Sequence, residues 1–251
     1  MPPGSTMDTI VRRGMLVAGV NQNAYRVGYR DPLSGDLVGF EIDIVRAIAR
    51  ALFGDPTRVR FKAINASNRV TMLRDGEIDL AVRTTTMTCE NWQEVAFSTE
   101  YYTANQRLLV RSGEPATEIE QLSGRKVCAA AGSTSLTNIR TFNPAAIPVS
   151  APDVIDCLVM LQQRQIDAIS TSDILLMAIA AQDPHTRVVG RPLKQQPYGV
   201  SIAQTAPDLV RFVNGVLARI RADGTWTASY THWLSPILGP PPPPPPARYR
   251  P

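Results

Sequence analysis

Arg83, Thr84, Thr85 and Thr86 follow directly on apolar Leu80, Ala81 and Val82. That run reads as a buried strand whose end carries one cation and three hydroxyls. A guanidinium fork flanked by hydroxyls matches the geometry of a carboxylate, and the carboxyl ends of strands are where open α/β sheets bind ligands. A solvated loop with an incidental arginine is the competing reading. A second candidate is Gly132, Ser133 and Thr134, between a strand-like and a helix-like stretch. Backbone N–H groups and the Thr134 hydroxyl there can meet an anion with help from the helix dipole; Ser133 and Thr134 serve equally well as simple helix caps.

These groups need a scaffold, and hydrophobic spacing supplies one. Residues 15–20 read as a strand, and over 40–53 the apolar Ile44, Val45, Ile48, Ala49 and Leu52 recur at helical spacing. Residues 59–64 return to strand and 70–74 to helix. The theme repeats with a strand over 126–130, helices over 134–141 and 154–164, and a strand over 167–170. Extended crossings at 106–111 and 198–203 bracket this second set. Helices over 207–221 and 225–233 follow, with Pro207 where proline opens a helix. Strand and helix alternate throughout, which predicts an α/β protein.

Composition narrows the function classes. A chain of 251 residues can form one large domain or two lobes of about 100 residues each. Its net charge of +4 is slight and its basic residues are scattered, so no nucleic-acid footprint is present. No apolar run approaches the roughly 18 residues that span a bilayer, and no signal-peptide core opens the chain. The two histidines, His185 and His232, fall away from the candidate ligand segments, and no nucleophile, phosphate or dinucleotide motif accompanies them. Binding is favoured over catalysis, without cofactor or metal. The unbroken proline run at 240–246 favours polyproline II, so the fold should end near Leu238, followed by a stiff disordered spacer or a docking peptide. Cys89, Cys128 and Cys157 match no metal-ligand spacing.

An ordered series of short motifs resembles the extracellular solute-binding proteins for polar amino acids, the receptors of ABC importers. Gly39-Phe40-Glu41-Ile42-Asp43 opens the first helix as in that family. Phe97-Ser98 with Tyr101-Tyr102 fits its Phe-Ser-x-x-Tyr-Tyr, and Leu122-Ser123-Gly124-Arg125-Lys126-Val127 fits its Leu-x-Gly-Lys-x-Val. Gly132-Ser133-Thr134, Asp167-Ala168, Tyr198-Gly199 and Asp223-Gly224-Thr225 with Trp233 complete the set, so the resemblance spans about residues 10–235. It implies a two-lobed periplasmic-binding-protein-like (type II) fold. The first lobe would comprise residues 8–105 and 204–238, the second 106–203 with the hinge strands, and 239–251 the proline-rich tail. Residues 1–6 would be leftover linker. Val127-Cys128 and Asp156-Cys157-Leu158 also resemble paired cysteines of a glutamate-type subgroup among actinobacterial lipoproteins. That implies a Cys128–Cys157 disulfide in an oxidising compartment, with Cys89 unpaired; three free thiols is the alternative.

The resemblance assigns ligand residues position by position. Thr84 and Thr86 match the strand-end hydroxyls that receive the α-carboxylate. Asn91 occupies the place of the family's usual arginine, and Arg83, at a position small in most relatives, is expected to replace it. Ser133 and Thr134 supply the opposite jaw. Ser172 stands where relatives carry the aspartate for the α-ammonium, which moves that role to the adjacent Asp173, itself also a natural cap for the following helix. Asn68-Arg69 resembles a glutamate/aspartate-receptor segment whose arginine meets the side-chain carboxylate; a surface position on an amphipathic helix is the alternative. Tyr25 and Phe40 are candidates for aromatic contact with the ligand, and Arg26 for a third cation.

The implied function is reception of glutamate, aspartate, asparagine or glutamine between two closing lobes, and delivery to an ABC permease by a monomer lipid-anchored outside the cell membrane. A sensory module acting through a membrane partner, or a dehydratase on the same fold, are the rival readings, because fold alone does not assign function.

Overall fold

The computed structural model describes residues 2–249. Two five-stranded sheets, one in each lobe, carry the helices. In the first, the order is Val59–Ala63, Leu16–Val20, Leu80–Val82, Ser201–Ile202, Ala96–Phe97. The first three strands run parallel and Ser201–Ile202 pairs antiparallel on both sides. Leu16–Val20 and Leu80–Val82 are buried throughout, the pattern of parallel strands covered on both faces. In the second sheet the order is Ile147–Ala151, Lys126–Ala130, Ala168–Ser172, Tyr102–Arg111, Thr186–Tyr198. The type II two-lobed α/β fold expected from the motifs is the fold observed.

The helix Phe40–Phe53 shows why the first lobe is discontinuous. Its apolar stripe of Ile44, Val45, Ile48, Ala49 and Leu52 is buried, and it ends at Gly54, which adopts a left-handed φ of 74° that a side chain would resist. On its flank, Asp43 Oδ2 accepts from Ser229 Oγ and from Trp233 Nε1, both at 2.7 Å. A carboxylate in the first turn thus ties down a helix that arrives nearly 190 residues later. Phe40 packs edge-on against Trp226 and Tyr102, within the core that joins the two parts.

Four features depart from expectation. Residues 186–198 form one long strand, Thr186–Tyr198, antiparallel to Tyr102–Arg111, with a register irregularity between Val189 and Lys194. Gly190, Pro192 and Pro197 obscure it in the sequence, because glycine and proline weaken strand patterns and are accommodated at edges and bulges. Ser201–Ile202 belongs to the first sheet rather than to the second lobe, so the chain crosses near 97–102 and 198–201. Tyr101 N donates there to Tyr198 O (2.8 Å), and Ser98 N to Val200 O (3.0 Å). Thr6 is not linker: it begins the helix Thr6–Arg13, and its N and Oγ1 both donate to Asp208, each at 2.7 Å. The tail forms neither helix nor strand over 240–249, yet Pro245 is buried and Arg248 and Tyr249 lie beside residues 97–100. Residues 1, 250 and 251 of the expected linker and tail lie outside the described residues.

Cys128 and Cys157 are bonded, with Cα atoms 5.8 Å apart, and both are fully buried; Cys89 is free and exposed. The bridge staples the strand Lys126–Ala130 to the helix Val154–Gln162 across a separation of 29 residues. Reduction, or a Cys128→Ala/Cys157→Ala double variant, should lower stability by roughly 3 kcal/mol on the loop-closure argument. Urea denaturation with and without reductant measures it, and an unchanged midpoint would mean that the loop is already ordered in the unfolded chain.

Candidate functional site

The strand Leu80–Val82 delivers Arg83 into a cavity between the two sheets, where the side chain is only 6% exposed. Its Nε donates to Ile64 O at 2.7 Å and its Nη2 to Asp153 Oδ2 at 2.8 Å. Asp153 belongs to the other lobe, just beyond the strand Ile147–Ala151, so this ion pair spans the cleft. Nη1 makes no hydrogen bond among the described residues. Arg69, the first residue of the helix Arg69–Arg74, lines the same cavity at 5% exposure. It has no ion pair or hydrogen bond among the described residues, and its Nε is buried without a partner. Burial, and then the neighbouring Arg83 charge, lower its pKa to about 10. Two cations held this closely in a desolvated space make a receptor for negative charge.

Hydroxyls and a helix end complete the polar lining. Thr84, Thr86, Asn91, Ser133, Thr134 and Ser172 all face the cavity. Asn91 Nδ2 donates to Thr86 O at 2.8 Å, so the asparagine in the place of the usual arginine braces the strand-end loop. Ser133 caps the helix Thr134–Phe142 by accepting from Leu136 N, and donates to Ala130 O at 2.6 Å. The cap and the anion-facing reading of this turn are therefore compatible. The jaws meet directly. Thr134 Oγ1 donates to Thr86 Oγ1 at 3.4 Å, and a Cβ at Gly132, whose φ is +70°, would stand 3.0 Å from Ser67 Cα in the opposite lobe. Only glycine suits that approach, and the lobes are closed on one another.

Four expected site residues are elsewhere. Phe40 is fully buried in the aromatic core, because its position at the helix start points it at Trp226 and Tyr102 rather than at the cleft. Tyr25 packs edge-on against Tyr29 with ring centroids 5.1 Å apart, and Arg26 turns away to the carbonyls of His232 and Trp233. Asp173 does not line the cavity. Its Oδ1 accepts from Ile174 N at 2.8 Å and its Oδ2 from Asn105 Nδ2 at 3.2 Å, so it satisfies a first-turn N–H of its own helix and braces the hinge strand. Burial raises its pKa. In place of these, Asn21, Asp153, Gln196 and Tyr198 line the space. Asp153 had one legible signal: with Asp156 it forms a capping box at the start of the helix Val154–Gln162. That signal predicts a cap and says nothing of a ligand.

A model of the family described as bacterial extracellular solute-binding proteins, family 3, matches residues 16–236. The chain belongs to that family. The ABC transporter glutamine-binding protein GlnH of Bacillus subtilis (strain 168) is 33% identical over 230 residues, 91% of this chain and 84% of the relative. The glutamate/aspartate import solute-binding protein of Salmonella typhimurium is 26% identical over 248 residues, 94% of this chain and 82% of the relative. Among solved structures, a solute receptor for L-cysteine of Neisseria gonorrhoeae matches with a TM-score of 0.89 at 26% identity, over 94% of this chain and 96% of that one. Family-3 proteins are extracellular receptors that hand free amino acids to ABC permeases, and no described helix here is long and apolar enough to cross a membrane.

In this family-3 chain the ligand-facing loop rests on one buried carboxylate. Thr84 adopts a left-handed φ of 42°, uncommon for a β-branched residue. Glu41, in the first turn of the helix Phe40–Phe53, accepts Thr84 N–H at 2.6 Å and also accepts from the Tyr101 hydroxyl. Burial raises the Glu41 pKa from 4.5 to about 7 against the opposing pull of Tyr101, Thr84 and Arg83. Between those two values the folded protein holds a proton that the unfolded chain has released, so this group's contribution to stability falls as pH rises from about 4.5 to about 7. Glu41→Gln keeps the accepting oxygen without the charge and should remove that descent, which is of order 3 kcal/mol. Urea midpoints of both proteins at pH 5 and pH 8 measure it. Parallel pH profiles would show that Glu41 stays ionised.

Proposed function

We propose that this chain is an extracytoplasmic receptor for an acidic amino acid, glutamate or aspartate, which it delivers to an ABC permease. The observation that carries the reading is Arg69, a buried guanidinium in the ligand cavity with no protein counter-ion among the described residues. A charge so placed is costly unless a ligand neutralises it. The side-chain carboxylate of the ligand meets Arg69. Its α-carboxylate meets Arg83 with Thr86 and the N-terminus of the helix Thr134–Phe142, and Thr84 and Ser172 contribute polar contacts. Glutamine and asparagine offer Arg69 only an amide oxygen, so they bind more weakly. The named ligands of the relatives, glutamine in one and glutamate/aspartate in another, bracket this choice.

Closure transmits the occupied state. Hinge bending occurs at the two crossings, with residues 8–105 and 204–238 broadly on one side and 106–203 on the other, apart from Ser201–Ile202. A ligand that touches both lobes stabilises the closed form by its differential contacts. The permease, or a membrane sensor, recognises that form. The receptor acts as a monomer held outside the membrane by a lipid anchor. Isothermal calorimetry with glutamate, aspartate, glutamine and asparagine tests the ligand: one-to-one binding is expected, with the acidic pair tighter by roughly tenfold or more and the ligand recovered unchanged. Glutamine as the tightest ligand would overturn the acidic reading, and turnover of the ligand would overturn the receptor reading.

A further inference from the structure

The cavity between the lobes holds two cations, Arg69 and Arg83, both from the first lobe, and among the described residues a single carboxylate, Asp153, from the second. We infer that Asp153 is the acceptor for the ligand's α-ammonium, and that the receptor checks for the amine only as its lobes close. The inference rests on the acidic-ligand reading above.

The geometry leaves Asp153 room for this. Its Oδ1 accepts from its own helix at Val154 N (2.6 Å), its Oδ2 accepts from Arg83 Nη2 (2.8 Å), and its side chain stays 15% exposed toward the cleft. The capping box adds the Asp156 N–H to these partners, so of the about four lone-pair sites of a carboxylate one remains for the ligand. Asp173, the other second-lobe carboxylate expected at the site, has both oxygens engaged outside the cavity. Charge balance agrees. Two cations and one carboxylate face a ligand that carries two carboxylates and one ammonium, so the closed site is neutral as a whole. A dicarboxylate without an amine would satisfy the first-lobe arginines equally well, but would bring Asp153 down beside an extra negative charge. Because Asp153 reaches the ligand from the second lobe, that mismatch acts on closure rather than on first capture. The receptor thereby rejects diacids such as glutarate and 2-oxoglutarate, which differ from glutamate only where the amine sits.

Calorimetry with glutamate and glutarate on wild type, Asp153→Asn and Asp173→Asn separates the possibilities. Asparagine caps a helix as well as aspartate does, so Asp153→Asn should keep the start of the Val154–Gln162 helix, and thermal melting checks that it folds. Wild type should prefer glutamate to glutarate by roughly 100-fold. Asp153→Asn should weaken glutamate by roughly 30-fold or more while leaving glutarate unchanged or tighter, and Asp173→Asn should leave the preference intact. Equal losses for both ligands in Asp153→Asn would make the residue only a latch for Arg83, and collapse of the preference in Asp173→Asn would return the ammonium to that residue. Either result overturns the assignment while the acidic reading stands. A wild type that binds neither glutamate nor glutarate overturns the acidic reading itself, and the assignment with it.

Discussion

Arg83→Ala should weaken glutamate, aspartate, glutamine and asparagine alike, by roughly 1,000-fold. Truncating one partner of a buried charged pair costs about 2–5 kcal/mol, and each 1.4 kcal/mol is a factor of ten. Three losses coincide at this residue. The ligand's α-carboxylate loses its guanidinium donors, Ile64 O loses a donor at 2.7 Å, and Asp153 enters the closed cleft without its counter-charge. Because every ligand in the panel shares the α-carboxylate, none should be spared. Arg83→Lys separates charge from shape: it keeps the cation without the planar fork, and should recover only part of the affinity. Calorimetry reads both variants. An Arg83→Ala protein that binds within tenfold of wild type would put the α-carboxylate elsewhere in the cavity.

Arg69→Met should instead sort the ligands. It keeps an aliphatic stem of similar reach and removes only the charge, so glutamate and aspartate should lose roughly 100-fold, and glutamine and asparagine less than about tenfold. The preference between acid and amide would then shrink or reverse. The same variant should be more stable than wild type when empty, because a buried cation with no partner is removed. A gain of about 1 kcal/mol would raise the melting temperature by roughly 2–4 °C in a chain of this size. Lost binding together with a raised melting temperature is the signature of a residue kept for its ligand at the expense of the fold. If all four ligands weaken equally, Arg69 has no role in specificity. If the variant melts lower, the side chain is instead part of the packing.

The local chemistry of the site was written into the sequence at short range. An apolar strand running into Arg83-Thr84-Thr85-Thr86, and a turn at Gly132-Ser133-Thr134 between strand and helix, each place polar groups at a strand end by backbone geometry alone. The resemblance carried the reading further, to the two lobes, to Arg69 and to the paired cysteines. Phe40 and Tyr25 were misplaced because the side a ring faces at a helix start or in a short hairpin depends on what packs against it. For Phe40 that is Trp226, nearly 190 residues downstream.

The alternation of strand and helix, the strand ends that bear hydroxyls and cations, and the caps that begin the helices are therefore legible in the chain, because each depends on neighbours within a few residues. Which of those ends meet depends on how the lobes pack. Asp153 and Arg83 are 70 residues apart and in different lobes, and their pairing exists only because two separate sheets close face to face. Asp173 is turned from the cavity by a helix N–H and by Asn105, and Arg69 is left as a cation without a counter-ion. Such assignments turn on desolvation and on charge across a gap, which are properties of the closed space and of no single stretch of chain.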